Sequence, residues 1–328
     1  MLKYLARRVV FIFISLIVIT IVLFAIFQFM PGDPVLRMMG DRMGDMSPEE
    51  WEIEVEIIRQ MMGLDGPIVY QYFRWIVNMA SGDWGFSIVH RRPVLEVIRV
   101  PIGWTVLLNV VAMSIIFSIT IPLGIICAVK RGRLFDNGTL VFTMLGFSMP
   151  NFLVAILLIV LFAVTLQWFP IAGMISVIPP DTTWLRFVDR LRHMALPLIT
   201  ITFVGLAGVT RQVRAAMCDA LTEDYVRTAR SKGLKDKVVV FSHAFRNVLI
   251  PLVTIMAGFM ILMFSGNLVI ERLFVWSGMG QVMINSIFQA DYAVVIAMNV
   301  FYALVALVSI LIMDIAYGLV DPRVKVAR

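Results

Sequence analysis

Residues Val9–Met30 read VVFIFISLIVITIVLFAIFQFM, 22 residues without a charge. A helix rises about 1.5 Å per residue and a bilayer core is about 30 Å thick, so a run of this length spans it. A helix buried in a water-soluble core keeps a polar stripe for its outer face, and this run has none. Trp104–Val129 and Asn247–Ile270 are likewise uncharged. Across the chain of 328 residues, 60% are hydrophobic and only 15% charged. Ordinary soluble domains are about one quarter charged, so a soluble fold is excluded.

Working outward from these blocks, the hydropathy pattern predicts six spans, at about 9–30, 104–129, 139–168, 194–213, 247–270 and 292–318. The third contains Pro150, where a kink is expected, and the fourth ends at Arg211, whose long stem lets its charge reach the interface. With the N-terminus inside, segments 1–8, 130–138, 211–246 and 319–328 carry 17 Lys and Arg, against 11 on the much longer outer segments. Acidic residues run the other way, 7 inside and 15 outside. The positive-inside rule therefore places both termini in the cytoplasm. The formal charge of +6 is explained by membrane orientation, with no need of a nucleic-acid partner.

The organisation expected is a short cytoplasmic segment plus first span (1–30), an extracytoplasmic helical segment (31–103), a five-span core (104–318) holding a cytoplasmic loop (214–246), and a cytoplasmic tail (319–328). Lys3, Arg7 and Arg8 resemble the start of a signal peptide, but the apolar block is too long and runs into the turn Met30-Pro-Gly-Asp-Pro34. It is expected to remain as an anchor. In the outer segment, Ser47-Pro-Glu-Glu50 predicts a capped helix start, with Gly63 as its stop. Gly66-Pro67 opens a second helix, and Ser81-Gly-Asp-Trp-Gly85 is a tight turn. Its aromatics, Tyr70, Tyr72, Phe73, Trp75 and Trp84, fit an interfacial layer. This segment reads either as a structural cap or as a platform for an extracytoplasmic partner.

The longest cytoplasmic segment is the informative one. Thr222 is expected to cap a short helix with Glu223 and Asp224 in its first turn. Leu221, Tyr225, Thr228 and Ala229 share one face by spacing, Arg227, Arg230 and Lys232 lie elsewhere, and Gly233 fits a left-handed stop. A second helix starts at Lys235 and runs into Pro251. Such a knob is either a solvated connector or an element that docks in a groove of a soluble partner.

The stretch Glu223-Asp-Tyr-Val-Arg-Thr-Ala-Arg-Ser-Lys-Gly-Leu234, followed by His243-Ala-Phe-Arg-Asn-Val-Leu-Ile-Pro251, resembles the coupling loop of binding-protein-dependent ABC importer permeases, most closely the dipeptide/oligopeptide branch. The broad pattern of Glu-Ala-Ala, three residues and Gly is met here by Arg227, Thr228, Ala229 and Gly233, the first two being departures shared with the peptide branch. Similar marks run through the chain: Pro31-Gly-Asp-Pro34, Gly63-Leu-Asp65, Gly82-Asp-Trp-Gly85, Pro122-Leu-Gly124, Phe135-Asp136, Ser148-Met-Pro150, Trp276-Ser-Gly-Met-Gly280 and Asp321-Pro-Arg323. Their order and spacing are specific jointly.

The resemblance implies an all-α, six-helix type I importer permease for di- and oligopeptides. It implies a second homologous permease, two cytoplasmic ATPases and an extracytoplasmic binding protein as partners. It also implies that Leu221, Glu223, Asp224, Tyr225, Arg227, Thr228, Ala229, Lys232 and Gly233 couple the chain to the ATPases. Alternative cargoes within the branch are nickel chelates and oligosaccharides. A stand-alone secondary transporter would call for inverted repeats or several mid-span charges, and neither is visible.

No Gly-x-x-x-x-Gly-Lys-Ser/Thr loop is present, so the chain is expected to be a non-catalytic subunit without a cofactor. His90, His193 and His243 lack metal-ligand spacing. Glu271, Asp291 and Asp314 lie at span ends and are candidates for gating or ion pairing. Cys127 and Cys218 read as small packing residues.

Overall fold

The computed structural model describes residues 2–29, 34–39, 47–61 and 64–320. The turn at 30–33, the helix stop at Gly63 and the Asp321-Pro-Arg323 motif lie outside the described residues. The fold is helical. Five helices are long and apolar enough to cross a membrane, and a bent pair makes a sixth if counted as one span.

The chain divides into two units. One comprises Leu2–Pro101 with Val282–Leu307. It opens on α1 (Leu2–Gln28), followed by α2 (Pro34–Met39), α3 (Pro48–Met61) and α4 (Ile68–Ala80). Helix α3 starts with a reciprocal capping box. The Glu50 amide donates to the Ser47 hydroxyl (3.3 Å), and the Ser47 amide donates to the Glu50 carboxylate (2.9 Å). The Ser47 amide first, and the Ser47 hydroxyl second, hold the Glu50 carboxyl below its ordinary range. Gln71 on α4 ties down the preceding turn by donating to the carbonyls of Leu64 and Gly66, both at 2.9 Å. Tyr72 and Trp75 pack on Phe24 of α1, with centroids 5.5 and 5.7 Å away, whereas Tyr70 and Phe73 are exposed. The aromatic layer expected here is thus split between a helix–helix seam and an outward face. A two-residue ribbon follows, β1 (Phe86–Ser87) antiparallel to β2 (Arg92–Pro93).

The other unit comprises Ile102–Gln281 and the chain from Val308 onward. Helix α5 (Val94–Val129) begins in the first unit and runs unbroken into this one. Next come α6 (Leu134–Ser148) and α7 (Asn151–Leu158), the latter continuing as a π-helical turn over Ile159–Thr165. The kink expected at Pro150 is a break of 98°. Proline has no amide hydrogen and holds the residue before it extended, as seen at Met149 (φ −84°, ψ 129°). The Pro150 carbonyl then restarts the chain by accepting from the amides of Leu153 and Val154.

Helix α8 (Thr183–Thr222) is 40 residues long, well beyond the predicted fourth span. Thr182 caps it, accepting from the Leu185 amide at 3.3 Å. The Arg211 guanidinium lies over the Phe147 ring, 5.1 Å from its centroid. After α9 (Asp224–Ser231) and the single turn α10 (Asp236–Val238), a π-helical turn at Val239–Ala244 leads into α11 (Phe245–Ser265). Gly266 ends α11, and α12 (Leu268–Leu273), α13 (Met279–Phe288) and α14 (Tyr292–Val320) complete the described chain. The main core of this unit joins Val213 and Met217 of α8 to Val226, Val239, Ala244, Val248 and Leu252. Cys127 and Cys218 are free and buried, as packing residues would be.

Candidate functional site

The segment between α8 and α11 is built from backbone stops at each end. Glu223 is extended (φ −69°, ψ 150°) and separates α8 from α9. At the far end Gly233 adopts φ +75°, a region that costs residues with a Cβ about 1–2 kcal/mol. The Gly233 amide donates to the Arg230 carbonyl (2.9 Å) and the Leu234 amide to the Ala229 carbonyl (3.4 Å). The left-handed stop expected at Gly233 is present.

One sequence expectation is corrected here and a second is refined. Thr222 does not cap α9. Its hydroxyl turns back to the Asp219 carbonyl (2.8 Å) as the last residue of α8, and Glu223 takes the cap position without a side-chain bond. The four residues expected to share a face, Leu221, Tyr225, Thr228 and Ala229, are divided: Ala229 is in the core and Leu221 packs against it, while Tyr225 and Thr228 do not pack there. Val226 and Ala229 are buried, with 0% and 4% exposure, in the core that holds Val239, Val240 and Ala244. Leu221 sits half-buried at the end of α8, while Tyr225 and Thr228 are exposed. The signal for the true face was the β-branched Val226 three residues before Ala229.

The outer face of α9 is charged. Glu223, Asp224, Arg227, Arg230 and Lys232 are all exposed. Arg227 and Asp224 approach to 3.4 Å and Arg230 and Asp236 to 4.0 Å, but such open pairs contribute little. The Thr228 hydroxyl donates to the Asp224 carbonyl (3.0 Å). Apart from Val226 and Ala229, the helix is held by its own local bonds.

One feature of this region escaped the sequence reading. The Asp136 carboxylate in the first turn of α6 is fully buried and accepts two bonds from the Arg214 guanidinium of α8, at 2.5 and 2.7 Å. The Gly132 amide gives it a third, at 2.9 Å. The two residues are 78 positions apart, a separation that single-sequence patterns do not register.

The three acidic candidates have different surroundings. Glu271 of α12 is completely buried and is held by three uncharged donors. The Thr105 hydroxyl donates to Oε1 (2.9 Å), and the amides of Gly280 and Gln281 donate to Oε2 (2.7 and 3.2 Å). A Cβ on Gly266 or Gly278 would collide with this carboxylate, and one on Gly278 would also strike Thr105. Asp291, in the other unit, is buried and accepts from the Ser87 hydroxyl of β1. Asp314 lies on α14, 8% exposed. Among the described residues no cluster of His, Cys, Asp or Glu has the arrangement of a metal site.

The family described as the inner membrane component of binding-protein-dependent transport systems matches residues 120–326, and its N-terminal companion matches residues 1–99. The chain belongs to this permease family. An oligopeptide transport system permease protein of Bacillus subtilis is 37% identical, over 99% of this chain and 100% of that protein. A di/tripeptide transport system permease protein of Pseudomonas aeruginosa is 35% identical, over 100% of both. A dipeptide transport system permease protein of Escherichia coli is 34% identical, over 99% of each. The α9 segment, the Asp136–Arg214 pair and Glu271 itself lie in the stretch of this permease matched by the main family, α3, α4 and the β-ribbon lie in the N-terminal match, and Thr105 of the Glu271 cradle falls between the two.

Proposed function

We propose that this permease forms half of the translocation pathway of an ATP-driven importer for di- and oligopeptides, and that residues 221–233 couple it to ATPase subunits. The peptide cargo is supported by the full-length similarity to permeases named for oligopeptides, di/tripeptides and dipeptides. In this reading a second homologous permease completes the pathway, two cytoplasmic ATPases supply the energy and an extracytoplasmic protein delivers cargo. Both termini and the 214–246 loop face the cytoplasm, and residues 31–103 lie outside.

The observation that carries the coupling role is the division of α9 into two faces. Val226 and Ala229 are sunk in a core shared with α8 and the start of α11, while Tyr225, Arg227, Thr228 and Lys232 are exposed and free to meet a partner. A helix held in this way transmits a push on its outer face to α8 and α11, since packed cores shift as bodies and do not yield locally. Glu271, Asp291 and Asp314 are assigned to the support and gating of the pathway.

The test is transport in membrane vesicles by the complete importer carrying Gly233→Pro together with Tyr225→Asp in this chain. Coupled transport is expected to be lost while the chain still inserts in the membrane. Transport at the wild-type rate would overturn the coupling role.

A further inference from the structure

A cavity lies within the Ile102–Gln281 unit, away from α9. It has a volume of about 200 Å³ and lies among α5, α7, α8, α11 and Asn267. Three of its lining residues are asparagines, Asn109, Asn151 and Asn267, and no charged residue lines it. The remaining wall is apolar and includes the pliant side chains Met113 and Met263 together with Phe259. At one helical rise per residue, Asn109 lies about 7 Å along α5 from Trp104, inside an uncharged span.

Polar side chains at this depth call for partners. Asn109 is 8% exposed, and its amide nitrogen donates to the Thr105 carbonyl at 3.0 Å. Its amide oxygen has no partner among the described residues. Asn267 is the converse case: its oxygen accepts from the Ile270 amide at 3.2 Å, which leaves its NH₂ unused. The lining of this small, mostly apolar space therefore includes one free acceptor and one free donor. The broken span adds a second polarity. The amino end of α7, at Asn151, and the carboxyl end of α11, at Leu262, Met263 and Gly266, both border the cavity. The first favours a partial negative charge and the second a partial positive one.

An amide group meets all four demands, since it carries a C=O and an N–H at opposite ends and no net charge. We propose that this cavity is a subsite of the permease for the backbone of an extended peptide. The Asn109 oxygen accepts a cargo N–H, and the Asn267 NH₂ donates to a cargo carbonyl. Met113, Met263 and Phe259 accommodate varied side chains, because unbranched thioethers repack readily. The volume is below the 300–1,000 Å³ of pockets that enclose a drug-sized ligand, so the site reads a residue-sized piece of the cargo. A metal chelate would find no charged or imidazole group here. The inference rests on the importer role proposed above.

The test compares a tripeptide with its depsipeptide analogue, in which an ester oxygen replaces one backbone N–H, using the complete importer in proteoliposomes. Asn109→Leu removes the acceptor. Asn267→Ser withdraws the NH₂ from the cavity but keeps an oxygen to cap α12. A third variant, Val204→Phe, fills the cavity without touching either asparagine. The readout is the ratio of peptide to depsipeptide transport, which a loss of assembled complex leaves unaltered. Asn109→Leu is expected to lower this ratio by about three- to tenfold, the value of one hydrogen bond. Asn267→Ser and Val204→Phe are expected to slow transport of the peptide. An unchanged ratio in Asn109→Leu, with wild-type peptide transport in Val204→Phe, would overturn the subsite and leave the importer role standing. Failure of the wild-type complex to move any peptide would overturn that role and the subsite with it.

Discussion

Arg214 and Asp136 form a two-bond ion pair between α8 and the first turn of α6, with the carboxylate fully buried and the guanidinium one-fifth exposed. The forked geometry satisfies both carboxylate oxygens, and the Gly132 amide supplies a third donor. Such a pair is costly to break from one side, because the remaining charge stays buried.

Arg214→Met is therefore expected to destabilise the permease by about 3–5 kcal/mol. Replacing both partners, as Arg214→Met with Asp136→Leu, is expected to recover most of that loss. Thermal unfolding of the purified chain in detergent measures both. A double variant as unstable as the single one would contradict the account.

The cradle around Glu271 gives a steric prediction. Gly278→Ala places a methyl group against both Thr105 and the Glu271 carboxylate and is expected to cost about 1–3 kcal/mol. Gly258→Ala, on α11 with nothing within 4 Å of the new methyl, is expected to leave the unfolding temperature unchanged or slightly raised. The same unfolding assay compares them.

On α9 the buried and presented faces separate by substitution. Val226→Ala removes methyl groups from a fully buried position and is expected to cost about 1–3 kcal/mol. Tyr225→Ala is expected to stay within about 0.5 kcal/mol of wild type. If Tyr225 has the coupling role proposed, Tyr225→Ala nonetheless lowers transport, and paired stability and uptake measurements show the split.

The capping box at α3 carries a pH signature. The folded state holds the Glu50 carboxyl below its ordinary range, so this contribution to α3 is complete above the unfolded carboxyl range and fades as the pH falls through the folded one. Hydrogen exchange of the first-turn amides of α3 is expected to quicken, after correction for intrinsic rates, on acidification. In Glu50→Ala the corrected exchange is expected to be fast at all pH values. Equal pH dependence in the two proteins would remove the box as the cause.

Much of the fold was legible because span-forming runs are local and one-dimensional. Val9–Met30 announces α1 without reference to any other residue, and Pro150 marks the break between α6 and α7. Helix lengths were less legible. The charged residues Arg186, Asp189, Arg190 and Arg192 end an apolar run but do not end a helix, so α8 extends well before Met194. At the candidate site the glycine stop was readable from Gly233 itself. The packed face was not, because Tyr225 and Val226 are both plausible core residues until the position of Val239 and Ala244 is known. The partnership of Asp136 and Arg214 depends on the crossing of α6 and α8, which no local pattern encodes.

The Glu271 cradle has a consequence for which residues the position tolerates. Three donors converge on its two oxygens, and the tip that meets the two backbone amides has to be an acceptor. Glutamine has the right length and fits in one orientation, with its oxygen toward the amides of Gly280 and Gln281 and its NH₂ toward the Thr105 hydroxyl, which can turn to accept. Aspartate has the right chemistry but falls one carbon short of donors fixed by three closely packed glycines. Position 271 is therefore held to a side chain of this length with an oxygen facing the two amides, and a shorter one requires the surrounding glycines to change with it.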